Sequence, residues 1–88
     1  MYILISITNA SISTEYFHTR EEARGQMFDE LLDAGVYEGV YEPDDLPDEY
    51  RNIEEYEGEF FGWTEYSAYV STDKRDYNWL IEEVPKEV

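Results

Sequence analysis

The chain contains no cysteine. That excludes a disulfide framework, a thiolate metal site and a cysteine nucleophile. Bases are scarce: six Lys and Arg stand against 22 Asp and Glu, for a net charge of -16. Without a basic stripe, direct nucleic-acid binding is not expected. Histidine occurs once, at His18, and a lone imidazole beside a helix start builds no nucleophile–base pair. The glycines Gly35, Gly39, Gly58 and Gly62 fall in no phosphate-cradling pattern. The longest apolar run lies near Tyr2–Ile5, far too short to span a bilayer. No basic segment followed by an apolar stretch opens the chain, so the expectation is no signal peptide, no membrane association and a cytoplasmic location in a bacterial host.

What is present is acid and aromatic surface on a chain of one-domain length. The 88 residues suit a single domain, 1–88, with a small core. High net charge with few apolar residues favours disorder. Here 17% of residues are aromatic, nine of them Tyr, and these supply enough buried area to support a folded core under an acidic surface.

The pattern along the chain predicts an α+β fold. Tyr2–Thr8 alternates with strand period: Ile3, Ile5 and Ile7 on one face, Tyr2, Leu4 and Ser6 on the other. Asn9-Ala10-Ser11 is turn chemistry, and Ile12–Phe17 reads as a second extended segment. A helix is expected over Arg20–Ala34. Thr19 and Glu22 form a capping box, and Ala23, Met27, Leu31 and Ala34 recur at helical spacing, widened by Phe28 and Leu32. Gly35 follows as its C′ residue, and Gly25 inside the helix is read as a mark of close packing on a strand.

Val36–Gly62, punctuated by Gly39, Pro43, Pro47, Gly58 and Gly62, reads as irregular, with a short helix within Leu46–Tyr56. Trp63–Ser71 and Tyr77–Val84 read as a hairpin across Asp73-Lys74-Arg75-Asp76. The expected architecture is an antiparallel sheet of three to four strands, one main helix on one face, and a long acidic irregular segment.

The acids are clustered. Between Asp29 and Glu65 lie 14 acids and one base, Arg51, so the local net is 14 minus 1, or -13. Interleaved with them are Tyr37, Tyr41, Tyr50, Tyr56, Phe60, Phe61 and Trp63. Grooves that hold nucleic acid combine Lys and Arg with stacking surface, and carboxylates can replace phosphates as acceptors for Arg. The expected partner-binding residues are therefore Asp29, Glu30, Asp33, Glu38, Glu42, Asp44, Asp45, Asp48, Glu49, Glu54, Glu55, Glu57 and Glu59, with Tyr41, Tyr50 and Tyr56. Asp44-Asp45 with Asp48-Glu49 lacks the ligand spacing of an EF-hand loop. No metal, cofactor or catalytic residue is assigned, and the chain is not expected to be an enzyme.

In size, charge and clustered acids with tyrosines, the chain resembles small acidic proteins of phages and mobile elements, including DNA-mimicking inhibitors of the anti-CRISPR and anti-restriction classes. That resemblance implies a non-enzymatic inhibitor that occupies the channel of a basic nucleic-acid-binding protein such as a defence nuclease, with fast, salt-sensitive association. Two other readings use the same residues. One is an adaptor or antitoxin-like partner covering a basic surface unrelated to nucleic acid. The other is an acidic surface that serves solubility alone. An exposed hairpin edge also offers a route to a homodimer, which nothing in the sequence requires.

Overall fold

The computed structural model describes residues 1–8, 11–41 and 52–85. The strands are β1 (Tyr2–Ile7), β2 (Ile12–Phe17), β3 (Tyr56–Glu57), β4 (Phe61–Trp63), β5 (Ser67–Ser71) and β6 (Asp76–Glu83), and the helix α1 spans Arg20–Tyr37 between β2 and β3. All pairings are antiparallel, and the sheet order is β2-β1-β6-β5-β4-β3. The α+β class stands, but the expected three to four strands are corrected to a six-stranded sheet.

Two features of the chain hid the extra strands. Trp63–Ser71 is not one strand, because it breaks at Thr64–Tyr66 into β4 and β5. The Thr64 amide donates to the Ser67 carbonyl at 2.8 Å, and the Thr64 and Ser67 hydroxyls meet at 2.7 Å. This turn contains no glycine and no residue with positive φ, so it lacks the usual hairpin signature. β3 and β4 are two and three residues long, too short for any periodicity, and Gly58 and Gly62 mark their hairpin rather than irregular chain. The helix proposed within Leu46–Tyr56 falls mostly outside the described residues. Tyr56, at its expected end, is in β3.

The helix begins as its sequence dictates. The Glu22 amide donates to Thr19 Oγ1 at 3.2 Å, and Glu21 and Glu22 occupy the first turn, the favourable end of the helix dipole. It ends later than expected. Gly39, with φ of 74°, is the C′ residue. The Gly39 amide donates to the Val36 carbonyl at 3.1 Å and the Val40 amide to the Gly35 carbonyl at 2.9 Å, the paired bonds of a Schellman cap. Gly35 instead sits inside the helix, where the Tyr41 ring lies across it. A Cβ there would fall 2.2 Å from the ring. The Tyr41 hydroxyl donates to the Leu31 carbonyl at 2.6 Å, which folds the chain after Gly39 back over the last turn.

The core forms where α1 meets the sheet. Ala23, Met27, Phe28 and Leu31 pack with Leu4, Trp63, Ala68, Val70, Trp79 and Ile81. Phe28 meets Trp63 edge-on, with ring centroids 5.3 Å apart. The register places Tyr2, Leu4 and Ser6 on the helix side of β1 and leaves Ile3, Ile5 and Ile7 on the opposite face. That opposite face has no second layer among the described residues. It carries Ile12, Thr14 and Tyr16 of β2 beside the three isoleucines, with Leu80 of β6 opposite Ile5.

Gly25 and Gly35 behave oppositely, and the expected role of Gly25 is corrected. A Cβ at Gly25 meets nothing within 4 Å, so it marks no close packing. Gly25→Ala should stabilise the fold by about 1 kcal/mol, raising Tm by roughly 4–8 °C. Gly35→Ala should destabilise it by about 1–3 kcal/mol, because the Tyr41 ring must leave its seat. Thermal unfolding of the two variants tests the assignment.

Candidate functional site: acidic surface and its supports

Arg24 organises the β3–β4 end of the molecule from within. It leaves the helix, lies over the Phe28 ring at 4.9 Å, and donates from Nη1 to the carbonyls of Thr64 and Glu65, both at 2.8 Å. Its Nη2 reaches the Ile53 carbonyl at 3.5 Å, and the Trp63 indole donates to that same carbonyl at 2.7 Å. Burial lowers the Arg24 pKa from its usual value, although a guanidinium stays charged at any physiological pH. Three backbone carbonyls thus hold one cation that, among the described residues, forms no ion pair with a carboxylate.

The acidic hairpin is built on that frame. Tyr56 stacks on Trp63 and Phe61, with centroids 5.0 and 5.3 Å apart. Gly62 lets the Tyr69 ring cross β4, since a Cβ would fall 2.7 Å from it, and the Tyr69 hydroxyl donates to the Gly58 carbonyl at 2.7 Å. Glu54, Glu55, Glu57 and Glu59 project to solvent from this support, together with Ile53, Tyr56 and Phe60. A cleft of about 590 Å³ is lined by Glu55, Tyr56, Glu57, Trp63, Thr64 and Tyr69. Carboxylates beside aromatic faces suit a guanidinium or ammonium group. Trp63, Thr64 and Tyr69 enter this cleft through strand pairing, which the sequence pattern did not reveal.

A second set of expected residues lies near β1. Asp29 and Asp33 are on the exposed side of the helix. Glu30 points inward and accepts from Ser6 Oγ at 2.9 Å, Gln26 Nε2 at 3.1 Å and Trp79 Nε1 at 3.4 Å. Asp33 and Glu30 share a cleft of about 430 Å³ with Ser6, Ser13, Tyr37 and Trp79. The strand order puts three strand spacings between β1 and β4, roughly 15 Å. The expected residues therefore divide into two groups rather than one patch.

Three of them are largely occupied inside the fold. Besides Glu30, the Glu38 side chain is 7% exposed and accepts from the Tyr77 hydroxyl at 2.7 Å and from Arg75 at 3.4 Å. Tyr41 is buried, with its hydroxyl committed to Leu31. Glu42, Asp44, Asp45, Asp48, Glu49 and Tyr50 lie outside the described residues.

The described arginines are committed to the protein itself. Arg20 pairs with Glu65, which raises its pKa, and also reaches Glu21 at 3.5 Å. Arg75 pairs with Glu38 and lies over the Tyr37 ring at 5.6 Å. Among the described residues, no ion pair involves Asp33, Glu55, Glu57 or Glu59. Among the described residues no group of three or more His, Cys, Asp or Glu has metal-holding geometry, and no helix formed by them is long and apolar enough to cross a membrane.

No protein-family model matches the chain, and comparison with curated proteins and with solved structures finds no similar protein.

Two measurements check these supports. Arg24→Met keeps the stem over Phe28 but removes the donors. It should cost about 1–3 kcal/mol and speed amide exchange selectively over residues 53–63. For Tyr77, burial and the bond to Glu38 raise the phenol pKa above its ordinary value near 10. The folded state therefore holds this proton more tightly than the unfolded state. Stability from this group is complete below the ordinary value and is lost as pH rises through the folded one. Tyr77→Phe should flatten the alkaline fall in Tm.

Proposed function

We propose that the chain is a non-enzymatic binder that occupies the basic surface of a nucleic-acid-binding protein, such as a defence nuclease, with carboxylates in place of phosphates. The observation that carries this reading is the division of charge. Arg20, Arg24 and Arg75 are tied to internal partners, while Glu55, Glu57 and Glu59 face solvent from a rigid aromatic base. That arrangement preserves a strong negative field outside and supplies aromatic surface beside it, the two features a nucleic-acid groove recognises.

The charge density is consistent with such a role. Sixteen net charges along the 45 Å long axis amount to one per 2.8 Å (45 divided by 16). Duplex DNA carries about one per 1.7 Å of axis and a single strand about one per 3.4 Å. The protein lies between them, nearer the single strand. A partner whose groove accepts one strand is the better match.

The test is capture from a bacterial lysate on the immobilised chain, followed by elution with salt or with nucleic acid. The expected result is salt-labile capture of a nucleic-acid enzyme, released by single-stranded DNA at lower concentration than by duplex. Glu55→Lys, Glu57→Lys and Glu59→Lys combined should weaken that capture at least about 100-fold while the circular dichroism stays unchanged, as expected when steering and pairing charges are reversed. Capture that resists salt and ignores DNA would replace this reading with an adaptor function. A folded triple variant that binds equally well would remove the hairpin from the interface.

A further inference from the structure

The two edges of the sheet are built differently. β3 is two residues long, one of them Glu57, and is flanked by Glu54, Glu55 and Glu59. Short length and like charge are standard protection against edge pairing. β2, at the other edge, has six residues, Ile12-Ser13-Thr14-Glu15-Tyr16-Phe17, with five exposed. It carries no Pro, no Lys and a single acid in a chain with 22 acids. Among the described residues nothing pairs with its outer side. Ile12 is 70% and Tyr16 59% exposed.

We infer that β2 is a self-association strand, pairing antiparallel with β2 of a second copy about a two-fold axis at Thr14. This goes beyond the partner-binding reading and does not depend on it. A two-fold perpendicular to the sheet requires residues opposite one another to share a face, which confines the axis to a residue rather than a gap between residues. Centred on Thr14, the register sets Ile12 against the partner's Tyr16, Thr14 against the partner's Thr14, and Ser13 against the partner's Glu15. The first pair is aromatic on β-branched, the second is a favourable Thr pair, and the third places a hydroxyl donor beside a carboxylate. Centred on Glu15, two carboxylates would face each other, which is unfavourable.

The strands behind β2 complete the match. Ile7 pairs with Ile12, Ile5 with Thr14 and Ile3 with Tyr16. The axis at Thr14 therefore continues each row into the partner, so that Ile7 and Ile12 run into the partner's Tyr16 and Ile3. The result is an uncharged band across four strands, so apposing two copies of a chain of charge -16 there brings no carboxylate into the paired rows of the apolar face. The interface is isologous, as a two-fold requires. A six-residue strand pairing belongs to the small, transient size class, so association is expected to be weak and to rise with protein concentration. It should strengthen with salt, because salt screens the repulsion between the two bodies. That is the opposite sign from the salt dependence expected for the basic partner.

Sedimentation equilibrium and engineered cysteines test this, aided by the absence of native cysteine. Opposed residues in antiparallel strands have Cα atoms about 4.5–5.5 Å apart, within disulfide range. Thr14→Cys should oxidise readily to a covalent dimer. Ser13→Cys alone and Glu15→Cys alone should not, whereas the two mixed should cross-link to each other. Thr14→Glu, at an exposed position, should weaken the dimer at least about tenfold with unchanged circular dichroism. A chain that stays monomeric up to millimolar concentration at high salt overturns the inference, including the case in which β2 pairs only with a strand of another protein. A dimer that forms without Thr14→Cys cross-linking also overturns it, because such a dimer uses another surface.

Discussion

Met27, Phe28 and Leu31 are fully enclosed between α1 and the sheet, and the rest of the molecule depends on that contact. A body of charge -16 repels itself, and its core is small. The helix supplies four buried apolar side chains to one spot, where two tryptophans, Leu4, Val70 and Ile81 receive them. Concentrating large aromatics there gives more buried area per residue than aliphatic packing would. The edge-on contact of Phe28 with Trp63 ties the helix directly to the short β4 strand, which few backbone hydrogen bonds would otherwise secure.

The same core decides where the positive charges go. Arg24 sits beside Phe28 because both leave the helix on its sheet-facing side. From there its guanidinium reaches the carbonyls that end β4. Arg20 and Arg75 are drawn to Glu65 and Glu38 at the margins of the sheet. The arginines thus serve mainly as brackets between elements far apart in sequence. Placed at these positions, they leave Asp33, Glu55, Glu57 and Glu59 outside any ion pair among the described residues.

The surface is divided as a result. Carboxylates line the helix exterior and the β3–β4 hairpin, while the sheet face around Ile3, Ile5, Ile7 and Ile12, which no other described element covers, is apolar. Sheets with one solvated face normally alternate apolar and polar residues. Here β1 is apolar on nearly every residue, as a strand covered on both sides would be. Among the described residues one helix layers one face of the sheet, and no second layer covers the other apolar face of β1.

The sequence by itself determined the local structure that depends on neighbours in the chain. Thr19 with Glu22, the helical stripe from Ala23 to Leu31, and the alternation of β1 and β6 were legible because capping and periodicity act over a few residues. The clustering of acid and aromatic residues was equally plain. The tertiary structure alone decided the number of strands, since β3 and β4 exist only through pairing with each other and with β5. It alone made Gly39 rather than Gly35 the helix stop, because Tyr41 folds back onto Gly35 from outside the helix. It also separated Glu30, Glu38 and Tyr41, which serve the interior, from Glu55, Glu57 and Glu59, which face solvent. A carboxylate's role depends on which donors the fold brings to it, and Ser6, Trp79 and Tyr77 lie 24 to 49 residues away from the acids they bind.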